Sequence, residues 1–372
     1  MTHLPVAVDA MGGDLGPGVV VLGAVRAFEN FGIPSILVGD EKILREELSK
    51  FSSEIPISIQ NAEEVITMED SPSAAIRKKP KSSIRVAFQL VKDKKACAVV
   101  SPGNTGAVMA AGLYTAGTLP GIARPAIATL LPKVGDALPT VFLDSGANVD
   151  CDAAHLVQFA LMGHCYAQVA LKTLSPRVAL LSNGSELSKG TDTIRAAAMM
   201  LSELKDINFI GYIEGRDLPR DVVDVVICDG FLGNVLLKTM EGSVELVVDS
   251  MRHYVGKTLR GKLGLWLAKP LMKSLFKDKL DPSTYGGAPL LGLKELAIIC
   301  HGSSNSRAIK NAIRVGHDFS KEGLVSRIEQ ALIGFDSSSN DASVEEGLWD
   351  RMGTKFDKKK KKFGFKAEGE VS

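Results

Sequence analysis

Residues 96–123 read ACAVVSPGNTGAVMAAGLYTAGTLPGIA, a run without a charged side chain. Such a run is long enough to cross a bilayer. Pro102, Gly103, Asn104, Thr105 and Pro120 divide it instead into a short strand, a polar turn and a helix of small residues. The stretch therefore reads as a buried strand–turn–helix unit, and that reading sets the fold. The same grammar recurs at 4–10 (LPVAVDA), 35–39 (SILVG), 140–145 (TVFLDS), 177–182 (RVALLS), 223–228 (VDVVIC) and 296–300 (LAIIC). Unbroken Val, Ile, Leu and Ala marks strands buried on both faces. Strands alternating with helices predict an α/β fold with a mostly parallel sheet.

The helical patterns are legible too. Val19 to Phe31 follows Gly16-Pro17-Gly18 and repeats apolar residues at Val21, Leu22, Val25 and Phe28. Thr191 or Asp192 can cap a helix over Ile194, Ala197, Ala198 and Leu201. Asn234 can open another through Leu237, Met240, Val244, Val247 and Val248. From about Asp336 the pattern stops, and residues 358–362 are five consecutive lysines. Residues 336–372 read as a disordered, Lys-rich tail.

Composition narrows the class. The 372 residues allow two or three domains, or one large α/β unit with a tail. Lys+Arg 44 against Asp+Glu 43 argues against a surface built to grip nucleic acid. Five widely spread cysteines without a CxxC give neither a disulfide framework nor a zinc site. Met1 to Pro5 lacks a signal-peptide pattern, so a cytoplasmic protein is expected.

In open α/β sheets, ligands bind beyond the carboxyl ends of the strands. The turns there read DAMGGDLGPG (9–18), SPGNTGA (101–107), DSGANVD (144–150), SNGSELSKGTD (182–192), DGFLGN (229–234) and HGSSNS (301–306). Each sets Gly beside Asn, Ser, Thr or Asp, a pattern suited to an oxyanion such as phosphate. There is no P-loop, no GxGxxG, no GxSxG elbow and no HExxH. Candidate ligand-binding residues are Asp9, Gly12, Gly13, Asn104, Thr105, Gly106, Asn148, Gly190, Asp229, Gly233, His301 and Ser303. Asp9 and Asp14 could cap their loop or hold an ion. Lys189 could set a fixed positive charge against phosphate, or be a surface turn lysine. Asn234 could cap a helix, or donate to a substrate oxygen. His155, His164, His253 and His317 read as packing or surface residues.

Six strings together resemble the bacterial phosphate acyltransferase (PlsX) family of phospholipid synthesis. They are DAMGGDLGP (9–17), SPGNTGAVMA (101–110), LDSGAN (143–148), LSKGTD (187–192), DVVICDGFLGNVLLKTMEG (224–242) and GGAPLLGLKE with HGSS (286–304). Pro102, Ser145 and Ser182-Asn183 depart from the usual pattern. The resemblance implies an αβα sandwich like the isocitrate and isopropylmalate dehydrogenases, with residues 1–335 as the catalytic domain. It implies transfer of a long-chain acyl group from acyl carrier protein to inorganic phosphate, without a metal or organic cofactor. It implies a homodimer at the membrane surface that passes acyl phosphate to a glycerol-3-phosphate acyltransferase. It also makes Lys189 and Asn234 the catalytic residues. The other readings are a phosphate acetyltransferase using a CoA thioester, a decarboxylating dehydrogenase and a non-catalytic lipid-surface adaptor.

Within 250–280, residues 252–279 carry eight Lys and Arg against Asp278 alone. Val255, Leu259, Leu263, Trp266 and Leu267 recur at helical spacing, and Pro270 interrupts the run. A basic amphipathic stretch with Trp suits a lipid interface, so a protruding helical segment touching membrane through Leu259, Leu263, Trp266 and Leu267 is expected. A solvated dimer-interface hairpin, or a site for the acidic carrier protein, would use the same residues.

Overall fold

A computed structural model describes residues 4–52, 55–186, 188–274 and 282–337. Its strands are β1 (Val6–Asp9), β2 (Ser35–Gly39), β3 (Ile57–Asn61), β4 (Val99–Ser101), β5 (Ala126–Ile127), β6 (Thr129–Leu131), β7 (Thr140–Leu143), β8 (Val178–Leu181), β9 (Phe209–Ile213), β10 (Val225–Ile227), β11 (Ala288–Leu291) and β12 (Ala297–Ile299). The helices are α1 (Pro17–Phe31), α2 (Glu41–Leu48), α3 (Pro72–Lys78), α4 (Ser83–Lys92), α5 (Thr105–Thr115), α6 (Ala153–Ala170), α7 (Asp192–Ser202), α8 (Gly230–Ser250), α9 (Leu259–Ser274), α10 (Ser306–Lys321) and α11 (Leu324–Ser337).

The architecture is mixed α/β, with two mostly parallel sheets where the sequence suggested one. The first runs β3-β2-β1-β4-β12-β11-β5 and the second β6-β7-β10-β8-β9. Antiparallel pairing appears at β11 and β6, where the sheets approach each other. Only Ala128 separates β5 from β6, and its N–H donates to the Pro289 carbonyl. The short strands on either side of Ala128 pair with β11 and β7, partners far away in sequence, so no local pattern announces the switch.

Every residue of β1, β7 and β8 is buried, as continuous apolar strands require. Helix α6 carries no charged side chain and is buried for most of its length against β7, β10, α7 and α11. Even so, no described helix is long and apolar enough to cross a membrane. Pro17 starts α1, and Gly32 ends it in a left-handed conformation, its N–H donating to Phe28.

Three boundaries move. Helix α8 opens at Gly230 rather than Asn234, because Asp229 accepts from the Leu232 N–H as its cap. Helix α9 runs through Pro270, which removes one backbone donor without ending it. Helix α11 continues through Ser337, past the expected start of the tail, and residues 338–372 lie outside the described residues.

Candidate active site

The six glycine-rich turns all follow carboxyl ends of strands, but they divide into two groups, one per sheet. Adjacent strands β1, β4 and β12 carry the turns of Asp9, Asn104 and His301. Adjacent strands β7, β10 and β8 carry those of Asn148, Asn234 and Lys189. Candidate residues of the first group are Asp9, Gly12, Gly13, Asn104, Thr105, Gly106, His301 and Ser303; those of the second are Asn148, Lys189, Gly190, Asp229, Gly233 and Asn234.

In the first group Asp9 is scaffold. Its buried carboxylate accepts from the Ser101 hydroxyl at 2.7 Å and the Met11 N–H at 3.2 Å. Burial raises its pKa, against the pull of Ser83, Ser101 and Met11. The backbones crowd here: a Cβ on Gly12 would lie 2.8 Å from Gly103 Cα, and one on Gly13 would lie 3.2 Å from Pro102 Cγ. Asp14 donates its N–H to the Gly302 carbonyl at 2.9 Å, which ties this turn to that of His301. Asn104 caps α5 by accepting from Ala107, while its amide donates to the Met68 carbonyl. His301 Nδ1 accepts from the Ser303 N–H at 3.2 Å and lies 2.8 Å from the Ser303 hydroxyl oxygen, so the two side chains hold each other within this turn. Among the described residues no cluster of His, Cys, Asp and Glu is arranged to hold a metal ion.

The second group is built around Asp144, which the sequence reading quoted without singling out. Its buried carboxylate accepts from the N–H groups of Ile127, Gly146, Ala147 and Asn148 and from the Asn148 amide. Burial pushes its pKa up, and this ring of donors pulls against the rise. The available signal was an Asp at a strand end followed by Ser-Gly-Ala-Asn, since such an Asp can bond the backbone just ahead of it. Asn148 also donates to the Pro125 carbonyl at 2.8 Å, so both amide hydrogens are committed to the loop.

Gly233 presses on Asp144: a Cβ there would collide with the Asp144 carbonyl oxygen. One residue on, Asn234 lies over Gly146, where a Cβ would sit 3.6 Å from Asn234 Cγ. With Asp229 as the cap, Asn234 stands in the first turns of α8 with its side chain exposed, so the capping explanation for this residue is withdrawn. Lys189 is exposed as well, its stem lying over Gly184. Its loop is closed by Asn183, whose side-chain oxygen accepts from Gly190 at 2.9 Å. Gly190 has φ +83°, a conformation that favours glycine. Two of the departures from the family pattern thus do structural work: Asn183 closes this loop, and Ser145 donates to the Ile127 carbonyl at 3.1 Å.

Two thiols border the second group. Burial pushes the Cys151 pKa up to about 12, helped by Asp144 and Asp229. Cys228 is likewise raised well above the usual thiol range by burial and the same two carboxylates, and its Sγ–H donates to the Asp144 carbonyl. Neither is poised as a nucleophile. The arrangement offers the exposed Lys189 ammonium and Asn234 amide beside backbone turns and α8, and among the described residues around it neither thiol is set up for covalent catalysis.

Residues 4–327 match the family described as fatty acid synthesis protein. A protein of Trichlorobacter lovleyi named phosphate acyltransferase is 49% identical over 328 residues, covering 88% of this chain and 94% of its own. One of Syntrophotalea carbinolica with the same name is 50% identical over 332 residues, covering 89% and 93%. Among solved structures, a phosphotransacetylase from Streptococcus pyogenes superposes with a TM-score of 0.59 at 18% identity, covering 86% of this chain and 94% of its own. A 4-hydroxythreonine-4-phosphate dehydrogenase from Klebsiella pneumoniae gives 0.50 at 12% identity, covering 85% and 99%. At these identities the structural likeness concerns the fold.

Proposed function

The chain belongs to the fatty acid synthesis protein family, whose members include acyltransferases, and from that premise we propose that it moves a long-chain fatty acyl group from acyl carrier protein to inorganic phosphate. The acyl phosphate formed then serves phospholipid synthesis. One observation carries the reading. Lys189, on the turn after β8, and Asn234, in the first turns of α8 after the neighbouring β10, keep exposed side chains, while Cys151 and Cys228 beside Asp144 and Asp229 are held protonated. That combination favours direct attack by bound phosphate over an acyl-enzyme.

A phosphate oxygen attacks the thioester carbonyl carbon, a tetrahedral oxyanion forms, and the C–S bond then breaks. The proton of hydrogen phosphate ends on the departing carrier thiol, so the step balances without a cofactor. Lys189 neutralises phosphate, and Asn234 donates to the oxyanion; His301 and Ser303 offer further donors from the first sheet. Catalysis is then positioning and charge stabilisation.

The test is purified protein with long-chain acyl carrier protein and phosphate, the product trapped by hydroxylamine. Phosphate-dependent product should fall by about 10²–10³ in Lys189→Ala or Asn234→Ala. Normal turnover in a folded Lys189→Ala variant would sink the assignment, and product from acetyl-CoA alone would move the donor to a CoA thioester.

The catalytic domain is taken as residues 1–335. The exposed apolar side chains of Leu259, Leu263, Trp266 and Leu267 support peripheral contact with phospholipid at the cytoplasmic surface, through a protruding basic helix. Such contact would place the product beside a membrane glycerol-3-phosphate acyltransferase. Phe231, Val235, Leu246 and Val247 leave α8 with exposed apolar surface, which supports burial against a second copy in a homodimer.

A further inference from the structure

Beside the Asp144 loop lies an open groove of about 420 Å³. Its walls include Met109 and Leu113 from α5, Ala123 and Pro125 from the strand approach, and Ala147 and Val149 from the loop. Leu113 is 40% exposed and Val149 64%, so the described residues leave this apolar lining uncovered. Arg124 and Asp150 also line it, Arg124 donating to the Asp150 carbonyl at 2.9 Å. The volume falls within the ~300–1,000 Å³ typical of small-ligand sites. A lining that is mostly apolar, with Arg124, Asn148 and Asp150 among it, suits an amphipathic chain rather than a small anion.

The groove is continuous with the candidate site. Ala147 and Val149 flank Asn148, whose carbonyl accepts from the Gly230 N–H at 2.7 Å, one turn ahead of Asn234. The groove also bridges the two groups of turns: Ala147 packs against the core that holds Ala107, Val108 and Ala111 of α5. α5 begins at the SPGN turn of the first sheet, and the Asp144 loop follows β7 of the second.

We infer that this groove receives the hydrocarbon of the acyl donor and sets chain-length preference, with Leu113 and Val149 as its walls. The inference rests on the acyl-transfer reading above and assigns the substrate's tail a place. An acetyl group would leave these walls wet, whereas a long chain would cover them. Each methylene excluded from an apolar pocket costs about tenfold or more in relative rate.

Leu113→Trp and Val149→Trp should obstruct the groove from exposed positions, with circular dichroism to confirm folding. Turnover is compared with butyryl, octanoyl and palmitoyl carrier protein, and binding of the fluorescent fatty acid cis-parinarate is measured separately. The expected result is at least about tenfold loss of palmitoyl relative to butyryl transfer, with weaker parinarate binding. Met109→Ala should shift preference towards longer chains. An unchanged length profile together with unchanged parinarate binding overturns the groove but leaves the acyl-transfer reading intact. Absence of wild-type transfer from every donor, with parinarate binding still weakened by Leu113→Trp, defeats that reading and keeps the groove as an acyl-chain site. A change of oligomeric state in Leu113→Trp with a flat length profile would assign the groove to a second copy and also overturn the inference.

Discussion

Asp144 is the residue on which the second group of turns depends. Removing its carboxylate would leave buried N–H groups of Ile127 and Asn148 without their acceptor. Each unsatisfied donor costs about 1–3 kcal/mol, so Asp144→Ala should destabilise the protein by ~3 kcal/mol or more in chemical denaturation. A smaller loss would mean that water fills the gap and the loop is less rigid than its bonds indicate. Cys151 behaves oppositely, close to the site yet without a chemical task. With its pKa near 12 it is almost wholly protonated at neutral pH, and the thiolate is the reactive form. Cys151→Ala should therefore keep turnover within about twofold, and iodoacetamide should label Cys151 far more slowly than a free thiol. Loss of turnover in a folded Cys151→Ala protein would reopen covalent catalysis. Lys189 and Asn234 stand out in the sequence because both lie in glycine-rich stretches at predicted strand ends. Asp144 carries a local signal as well, since Gly146, Ala147 and Asn148 donate to it from just ahead in the sequence, but its burial and the Ile127 donor come from a distant strand that no local spacing reveals.

At the scale of elements, the strands were legible wherever burial on both faces removed polar alternation, as in β1, β7 and β8. The first turns of α8 were not, because two residues compete to open it. Asp229 wins, and Gly230 to Gly233 then carry the helix against the Asp144 loop. Gly233 is the close contact. Gly233→Ala has no room for its methyl, so α8 must shift and carry Asn234 with it. Turnover should fall by about tenfold or more while far-UV circular dichroism stays native. Helix α9 offers a separate test at this scale. Leu263 and Trp266 are 58% and 67% exposed, so glutamate at either position should leave stability nearly unchanged. If this face meets lipid, Trp266→Glu should reduce co-flotation with anionic vesicles; undiminished flotation would remove the membrane assignment.

For the whole molecule, the division into two sheets has an energetic counterpart at the amino edge of the second sheet, away from the turns. Arg177 precedes β8, Asp224 precedes β10 and Lys133 follows β6, so one ionic cluster ties three strands together. Arg177 reaches both Asp221 and Asp224 at 2.8 Å, and the enclosed Lys133 ammonium reaches Asp221 at 3.0 Å. Burial pushes the Asp224 carboxyl up, but Arg177 and Lys133 more than offset it, leaving the pKa below the usual carboxylate range. A depressed pKa in the folded state means that ionised Asp224 favours folding. Its contribution is complete above the ordinary carboxylate value of ~4 and fades as pH falls through the folded one. Arg177→Met should cost roughly 2 kcal/mol at neutral pH, less than for a fully enclosed pair because the arginine is partly exposed. Thermal melts of wild type and Arg177→Met should differ most near pH 7, and the gap should close as pH falls from about 4 through the lower folded pKa of Asp224, where protonation removes the charge from the wild-type pair. A gap that stays constant through that range would show that the arginine stem, by packing, holds the edge rather than the ion pair.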